Sequence, residues 1–299
     1  MVNLAEDSGW KRWRDLAVDA QGRFHEMLLV NSSQLPELID YSSVERARVT
    51  SGTSAWWWGA AAEIQETINS VNAWGVRVHN WAAWNMVVDS YESEEDKWEL
   101  LYHFVEPLAF FCMHQPSAIS DRLTLVSETL LHQANCRVFS DYPDRLEQDK
   151  LKSGQTLRRS ERRKQVCRLG KRWEKFGAFW RALGAMNDLE YQKVSRNFRD
   201  LSVHAFAPRF MLGQIMRAVR SIVPRQEMVE QPGGGYLPVD HPTEKCVRYE
   251  LSAIEPFPLS IACSASLAEY QKALTAMRAF SELLDEMCNV MDSAPKHRS

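Results

Sequence analysis

Apolar residues along this chain recur mainly at three- and four-residue steps, the spacing of a helix that buries one face. From about residue 60 to 90 the pattern is strongly helical, broken only by Gly75, and Trp74, Trp81 and Trp84 share one side at i, i+7 and i+10. An aromatic stripe at that spacing predicts core packing. Ser42 with Glu45 has the form of a capping box ahead of residues 44–50. Ser93, followed by Glu94, Glu95 and Asp96, predicts a helix start whose acidic first turn suits the helix dipole. Pro107 is expected to kink or end that helix. Pro116 is expected to open the next, with Leu123, Val126, Leu130 and Leu131 on its buried face.

Residues 140–156 are rich in charge and contain Pro143 and Gly154, which marks a boundary or a long connection. Beyond them, Val166, Leu169, Trp173, Phe176, Trp180 and Leu183 make an a/d-like stripe that predicts one long helix over 157–190. Residues 207–224 read as an amphipathic helix ended by Pro224, with Phe210, Met211, Ile215, Ala218, Val219 and Ile222 apolar. The pattern then changes. "QPGGGYLPVDHP" reads as a loop, and "KCVRYELSAI" alternates like a strand, with Val247, Tyr249 and Leu251 on one side. Paired with "GYLPV" it makes a small hairpin near 233–256, with Pro238 confining one strand to an edge. Ser266 with Glu269 forms a second capping box before a stripe running from Leu267 to Met291. The expected fold is mainly α: a multi-helix bundle with a small β-hairpin insertion. Its halves are 1–140, rich in tryptophan, and 141–299, unless the two form one continuous domain.

Composition narrows the function classes. The chain has 299 residues and a net charge of -3, which argues against a wholly basic nucleic-acid binder but not against a local basic patch. No run of about eighteen apolar residues occurs, so no membrane span is expected. The N-terminus is charged from the start and lacks a signal-peptide core, which is read as cytoplasmic. The six cysteines, Cys112, Cys136, Cys167, Cys246, Cys263 and Cys288, show no C-x-x-C pair and suggest neither a zinc site nor a disulfide framework. Eleven tryptophans, six of them in 55–61 and 74–85, suit a core and leave a ligand pocket as an alternative. His79, His103 and His114 have no ligand-spaced partners, and no metal or cofactor is expected. "PGGGYLP" precedes a strand rather than a helix, which makes it a loop and not a phosphate cradle.

Two features point to RNA. The first is the dense basic run of Arg158, Arg159, Arg162, Arg163, Lys164, Arg168, Lys171, Arg172 and Lys175, opposed locally only by Glu161 and Glu174. Arginine forks match phosphate oxygens, although a basic run also serves as a solvated face. The second is "RNFRDLSVHAFAPRF" at 196–210, in which Arg199 is followed by Asp200 and, five positions on, by His204. This resembles the R-polar-x-x-x-H motif of the HEPN superfamily, all-helical ribonucleases of toxins and antiviral defence systems. The resemblance implies a dimer whose motifs meet across a cleft, and metal-independent RNA cleavage at the 2′-hydroxyl.

The residue types suit that chemistry. Histidine takes or delivers a proton near neutral pH. A guanidinium stabilises the negative charge gained in the transition state. Spacing of four or five residues on a helix is expected to bring His204 and Arg199 to one side. Asp200 is placed to orient either of them, and Arg196, Asn197 and Arg209 to hold phosphates. The alternatives are a structural pair at a helix junction and a non-enzymatic adaptor. In the adaptor, the stripes at 166–183 and 267–291 pack on each other or on a partner.

Overall fold

The computed structural model describes residues 4–30, 36–50 and 55–294. The chain forms two compact units, Met1–Arg199 with Leu259–Ser299, and Asp200–Pro258. Residues 140–156 are a connection inside the first unit, between two of its helices.

The first unit is helical. Its elements are α1 (Leu4–Val30), α2 (Ser42–Val49), α3 (Ala55–Asp89), α4 (Glu94–Leu100), α5 (Glu106–Val138), α6 (Arg159–Gly170), α7 (Phe176–Ala185), α8 (Leu189–Val194) and, after the second unit, α10 (Leu259–Ser293). The short α9 (Phe198–His204) begins in this unit and continues into the second. Ser93 accepts a hydrogen bond from Asp96 N and starts α4, as expected. Pro107 ends nothing: a turn of π-helix at Leu101–Val105 carries α4 into α5, and Pro107 stands in the first turn of α5, where no amide is missed. Pro116 does not open a helix but lies inside α5.

The two expected capping boxes dissolve for different reasons. Helix α2 starts at Ser42 itself, whose amide and hydroxyl both donate to Asp40. Ser266 and Glu269 lie well inside α10, where both are buried. Ser266 accepts from the indole of Trp74, and Glu269 accepts from the amide of Asn187 and from Lys272.

Helix α10 packs against α2, α3, α5, α7 and α8, so its stripe of Tyr270, Leu274, Met277, Phe280, Leu284, Met287 and Met291 is buried. Gly75 makes this possible. A Cβ there would stand 2.3 Å from the Tyr270 hydroxyl, which reaches past α3 to donate to Glu37 O. Trp74, Trp81 and Trp84 are core residues, and Trp84 stacks between Phe24 and Phe104 with centroids 4.7 and 4.3 Å away. The side chains of Trp56 and Trp58 lie outside the described residues.

The long helix expected over 157–190 is broken at residues 171–175 into α6 and α7. Glu286 of α10 enforces the break, its carboxylate accepting from the amides of Glu174 and Lys175 at 2.8 Å. The apolar stripe survives it, because Val166, Leu169, Trp173, Phe176 and Leu183 all remain buried. The stripes of α7 and α10 pack on each other, with Phe179 and Phe280 centred 5.6 Å apart.

The second unit holds an antiparallel hairpin, β1 (Ile215–Glu230) and β2 (Tyr236–Ile254). It corrects the helix expected over 207–224. The apolar spacing there fits either period, but Ile215, Val219, Ile222 and Val223 are β-branched and favour the strand. The pairing runs from Ile215 opposite Ile254 to Glu230 opposite Tyr236, with a register shift after Pro224. "PGGG" is the hairpin tip, where Gly234 and Gly235 take positive φ. The fold is therefore mainly α with one small hairpin, longer than the expected 233–256.

Two polar features hold α6 on α5. Glu128 of α5, 3% exposed, accepts from Gln165 at 2.6 Å and pairs with Arg162 at 3.2 Å. Gln165 in turn bonds Gln148 and accepts from the amide of Glu147. Breaking a buried ion pair leaves an uncompensated charge, so Glu128→Ala is expected to cost about 3 kcal/mol, read by chemical denaturation, with Glu128→Gln costing less. Gly75→Ala is expected to cost about 1–3 kcal/mol through overpacking against Tyr270, and an unchanged denaturation midpoint would contradict that packing.

Candidate functional site

The basic run begins at Arg158, whose amide donates to Glu161, and continues along α6 and the turn after it. In sequence it is nearly unopposed. In space, other segments supply counter-charges. Arg159 pairs with Asp121 at 2.6 Å, Arg162 with Glu128, and Arg168 with Glu147 at 2.8 Å. Arg172 makes a two-pronged contact with Asp141, at 2.8 Å for each bond. Hydrogen bonding from Arg172 holds Asp141 below the usual carboxylate range, and bonds from Lys150 and Arg168 do the same for Glu147. Lys164 and Lys171 are exposed. Much of the run's charge thus goes into holding α6 and the 141–150 segment together.

One stretch gathers several arginines at a single carboxylate. His114, Ser117 and Asp121 follow one another on a single face of α5, at i, i+3 and i+7. Arg159 and Arg163 of α6 reach across to this face, donating to Ser117 and Ser120 at 3.4 and 3.5 Å. Arg163 also lies over the Trp180 ring at 4.8 Å. Burial raises Asp121 above the usual carboxylate value, against the opposing charges of Arg159, Arg199, Arg163 and Arg162. Burial and then the charge of Arg199 lower His114. Burial and the like charge of Arg159 lower Arg163. The charges of four arginines thus act on Asp121, and one of the four, Arg162, also pairs with Glu128. A cavity of about 370 Å³ opens on this face, lined by Asp121, Arg122, Thr124, Leu157, Arg159 and Arg162.

Arg199 enters this cluster from α9. The preceding turn is tight: Arg196 and Asn197 both have positive φ, and their amides close the end of α8 on Lys193 and Gln192. This is the Schellman arrangement, usually built with glycine at its left-handed position. Phe198 is buried and meets the rings of Phe110 and His114, which seats the start of α9 beside α5. Asp200, His204 and Arg209 belong to the second unit, and His204 and Arg209 are exposed there. Helical geometry corrects one expectation. With α9 helical throughout, a five-residue step sets Arg199 and His204 about 140° apart around the helix, while the four-residue step from Asp200 to His204 keeps those two on one side.

Comparison with protein-family models, with curated proteins and with solved structures returned no match.

The charge of Arg199 acts on His114, which has no ligand-spaced partner in the sequence. A different signal was present, in the His114, Ser117, Asp121 spacing. A neutral imidazole beside a guanidinium suits proton abstraction near neutral pH, and guanidiniums match phosphate oxygens. No metal ligand set surrounds His114 among the described residues. Potential ligands do meet elsewhere: His132, Cys136 and Asp144 bring their donor atoms within 4.8 Å of one another.

The lowered histidines define a pH dependence. His79, desolvated by burial, and His114 both favour the neutral form in the folded chain. Between their folded values and the ordinary value of about 6.5, the unfolded chain binds more protons, so stability rises with pH through that window. The melting temperature is expected to fall as pH drops from about 7 toward 5. His114→Gln is expected to flatten that slope in part, leaving the share due to His79. An identical slope in the variant would show that His114 is not held neutral.

Proposed function

We propose that the protein binds RNA at the arginine-lined cleft of α5 and α6 and cleaves it without a metal ion, as a HEPN-like ribonuclease. The observation that supports the reading is the gathering of arginines at Asp121, which Arg159 contacts at 2.6 Å and on which the charges of Arg199, Arg163 and Arg162 also act. Guanidiniums crowded against like charge gain from an anion that accepts hydrogen bonds from several at once. A phosphodiester is such an anion. Arg158, Lys164, Lys171 and Arg196 extend the cationic surface along which a backbone would track.

In this reading Arg199 stabilises the charge that develops on the transferring phosphate. His204 acts as acid or base, with Asp200 one helical turn away to orient it. RNA supplies its own nucleophile in the 2′-hydroxyl, which is why an acid/base group and a guanidinium suffice. The resemblance extends the proposal to a dimer and to a toxin or anti-phage role.

A second reading is a non-enzymatic interaction protein, and the hairpin favours it. Met216, Ile222, Val247, Tyr249 and Leu251 share one face of the paired strands. Each is exposed, Leu251 by 76%. Solvated apolar faces of this kind mark interaction surfaces.

The readings separate in one set of measurements. Purified protein is incubated with mixed RNA in EDTA beside Arg199→Ala, His204→Ala and His114→Ala. Loss of the guanidinium is expected to slow cleavage about 100-fold or more, and loss of an acid/base histidine by a similar factor. Equal activity in wild type, Arg199→Ala and His204→Ala, or none in any, removes the ribonuclease. RNA binding is tested apart from cleavage. Arg159→Ala and Arg163→Ala should each lower the salt slope of affinity by about 0.7 for every phosphate that the arginine neutralises on a single strand. A stable complex with a partner protein, abolished in Tyr249→Lys and indifferent to His204→Ala, would favour the adaptor.

A further inference from the structure

Helix α5 ends with His132 and Cys136 one turn apart, and the chain then folds back over that end. His132 is 4% exposed. Its Nε2 lies 2.8 Å from Asp144 Oδ1 and 3.9 Å from Cys136 Sγ. Its other nitrogen, Nδ1, lies 2.7 Å from the Tyr142 hydroxyl. A histidine–aspartate pair accounts for one of these contacts. It does not account for a thiol facing the same ring nitrogen, nor for a hydroxyl fixed on the opposite one.

We propose that His132 Nε2, Cys136 Sγ and an Asp144 carboxylate oxygen bind a zinc ion. The donor set is imidazole, thiolate and carboxylate, the mixture zinc takes in tetrahedral sites. Zinc bonds of about 2.0 Å to nitrogen and oxygen and 2.3 Å to sulfur put tetrahedral ligand atoms about 3.3–3.6 Å apart. The present separations of 2.8 and 3.9 Å bracket that range, so small side-chain rotations close the site. Tyr142 takes the part of the outer hydrogen-bond partner that orients a ligating histidine. With Nδ1–H donating to the Tyr142 oxygen, the Nε2 lone pair faces the metal.

The charges and protons balance. Binding converts the Cys136 thiol to thiolate and releases one proton to solvent. The imidazole stays neutral, moving its proton from Nε2 to Nδ1. The dication then meets two anions, thiolate and carboxylate, and the site is neutral. An ordinary thiol is mostly protonated at neutral pH, so this proton leaves as the cation binds. Two arginines whose charges reach Tyr142 are already engaged, Arg168 with Glu147 and Arg172 with Asp141. The Asp144 side chain is 83% exposed, so water reaches the fourth position.

The site joins residues from α5 to the segment that carries Asp141 and Glu147. A metal there staples that segment in place, as structural zinc does in small domains. This inference stands on its own geometry and does not rest on RNA binding.

The test uses the full chain, stripped of metal by a chelator and returned to buffer. Cobalt(II) is titrated as the spectroscopic probe, and zinc is then added to displace it. The expected result is a thiolate-to-cobalt charge-transfer band saturating at one equivalent, bleached by zinc, with a melting temperature raised by zinc. Cys136→Ser should abolish the band. Asp144→Asn, at an exposed position that spares the core, and Tyr142→Phe should each weaken binding about 10-fold or more. Absence of a band in excess cobalt overturns the proposal. So does a band that persists unchanged in Cys136→Ser, which would assign it to another cysteine.

Discussion

The carboxylate of Glu128 is buried in the middle of a long helix, and a buried charge has to be matched. Much of the helical unit follows from that requirement. Gln165 and Arg162 approach from α6 to satisfy it, which fixes the rotation of α6 about its own axis. Gln165 also takes up Gln148 and the amide of Glu147, so the connection from α5 must fold back across the same place. Once α6 is so oriented, Val166 and Leu169 point inward, and Arg159 and Arg163, one turn apart, point along α5 toward Ser117, Ser120 and Asp121. The cationic cleft is thus a geometric consequence of the polar contact that fastens the helix.

The same contact explains why the basic run is neither a uniform patch nor a fully neutralised one. Toward the C-terminal end of α6, Glu147 and Asp141 lie on the folded-back segment and pair with Arg168 and Arg172. Toward the N-terminal end Glu128 takes up Arg162, and Asp121 meets Arg159 with the charges of Arg199 and Arg163 acting on it as well. The arginines therefore gather at one end of the helix. Local excess, rather than the net charge of -3, decides what the surface attracts.

Much of this was legible in the residues and some was not. The core faces of α3, α5 and α10 could be read because helical periodicity reports burial directly, as Trp74, Trp81, Leu130 and Phe280 show. The Ser93 cap could be read because its partners lie within one turn. Long-range partners were invisible. Ser266 and Glu269 match a cap pattern, yet their partners are Trp74, Asn187 and Lys272, and only the tertiary fold brings two of these near. The break at residues 171–175 depends on Glu286, more than a hundred residues away. The strand at 215–223 was ambiguous because its apolar spacing fits both periods, and β-branching was the deciding cue. The cleft divides the same way: its arginines stood out as a run, whereas the counter-charges and His114 come from α5, some forty residues earlier in the chain.

The hairpin poses a separate problem of stability. A two-stranded ribbon is marginal in water, because two strands alone bury little apolar surface. Here the strands are 16 and 19 residues long, and one face presents Met216, Ile222, Val247, Tyr249 and Leu251 to solvent. Local devices help to hold it. The glycine tip closes with Gln231 and Gly235 bonded to each other, Arg225 pairs with Glu244 where the register shifts, and Phe210 with Phe257 closes the base. Pro224 and Pro238 each remove a backbone donor from the ladder and discourage further strands from adding at those points. Proline thus guards the edges of the ribbon, while its apolar face is not stabilised by burial.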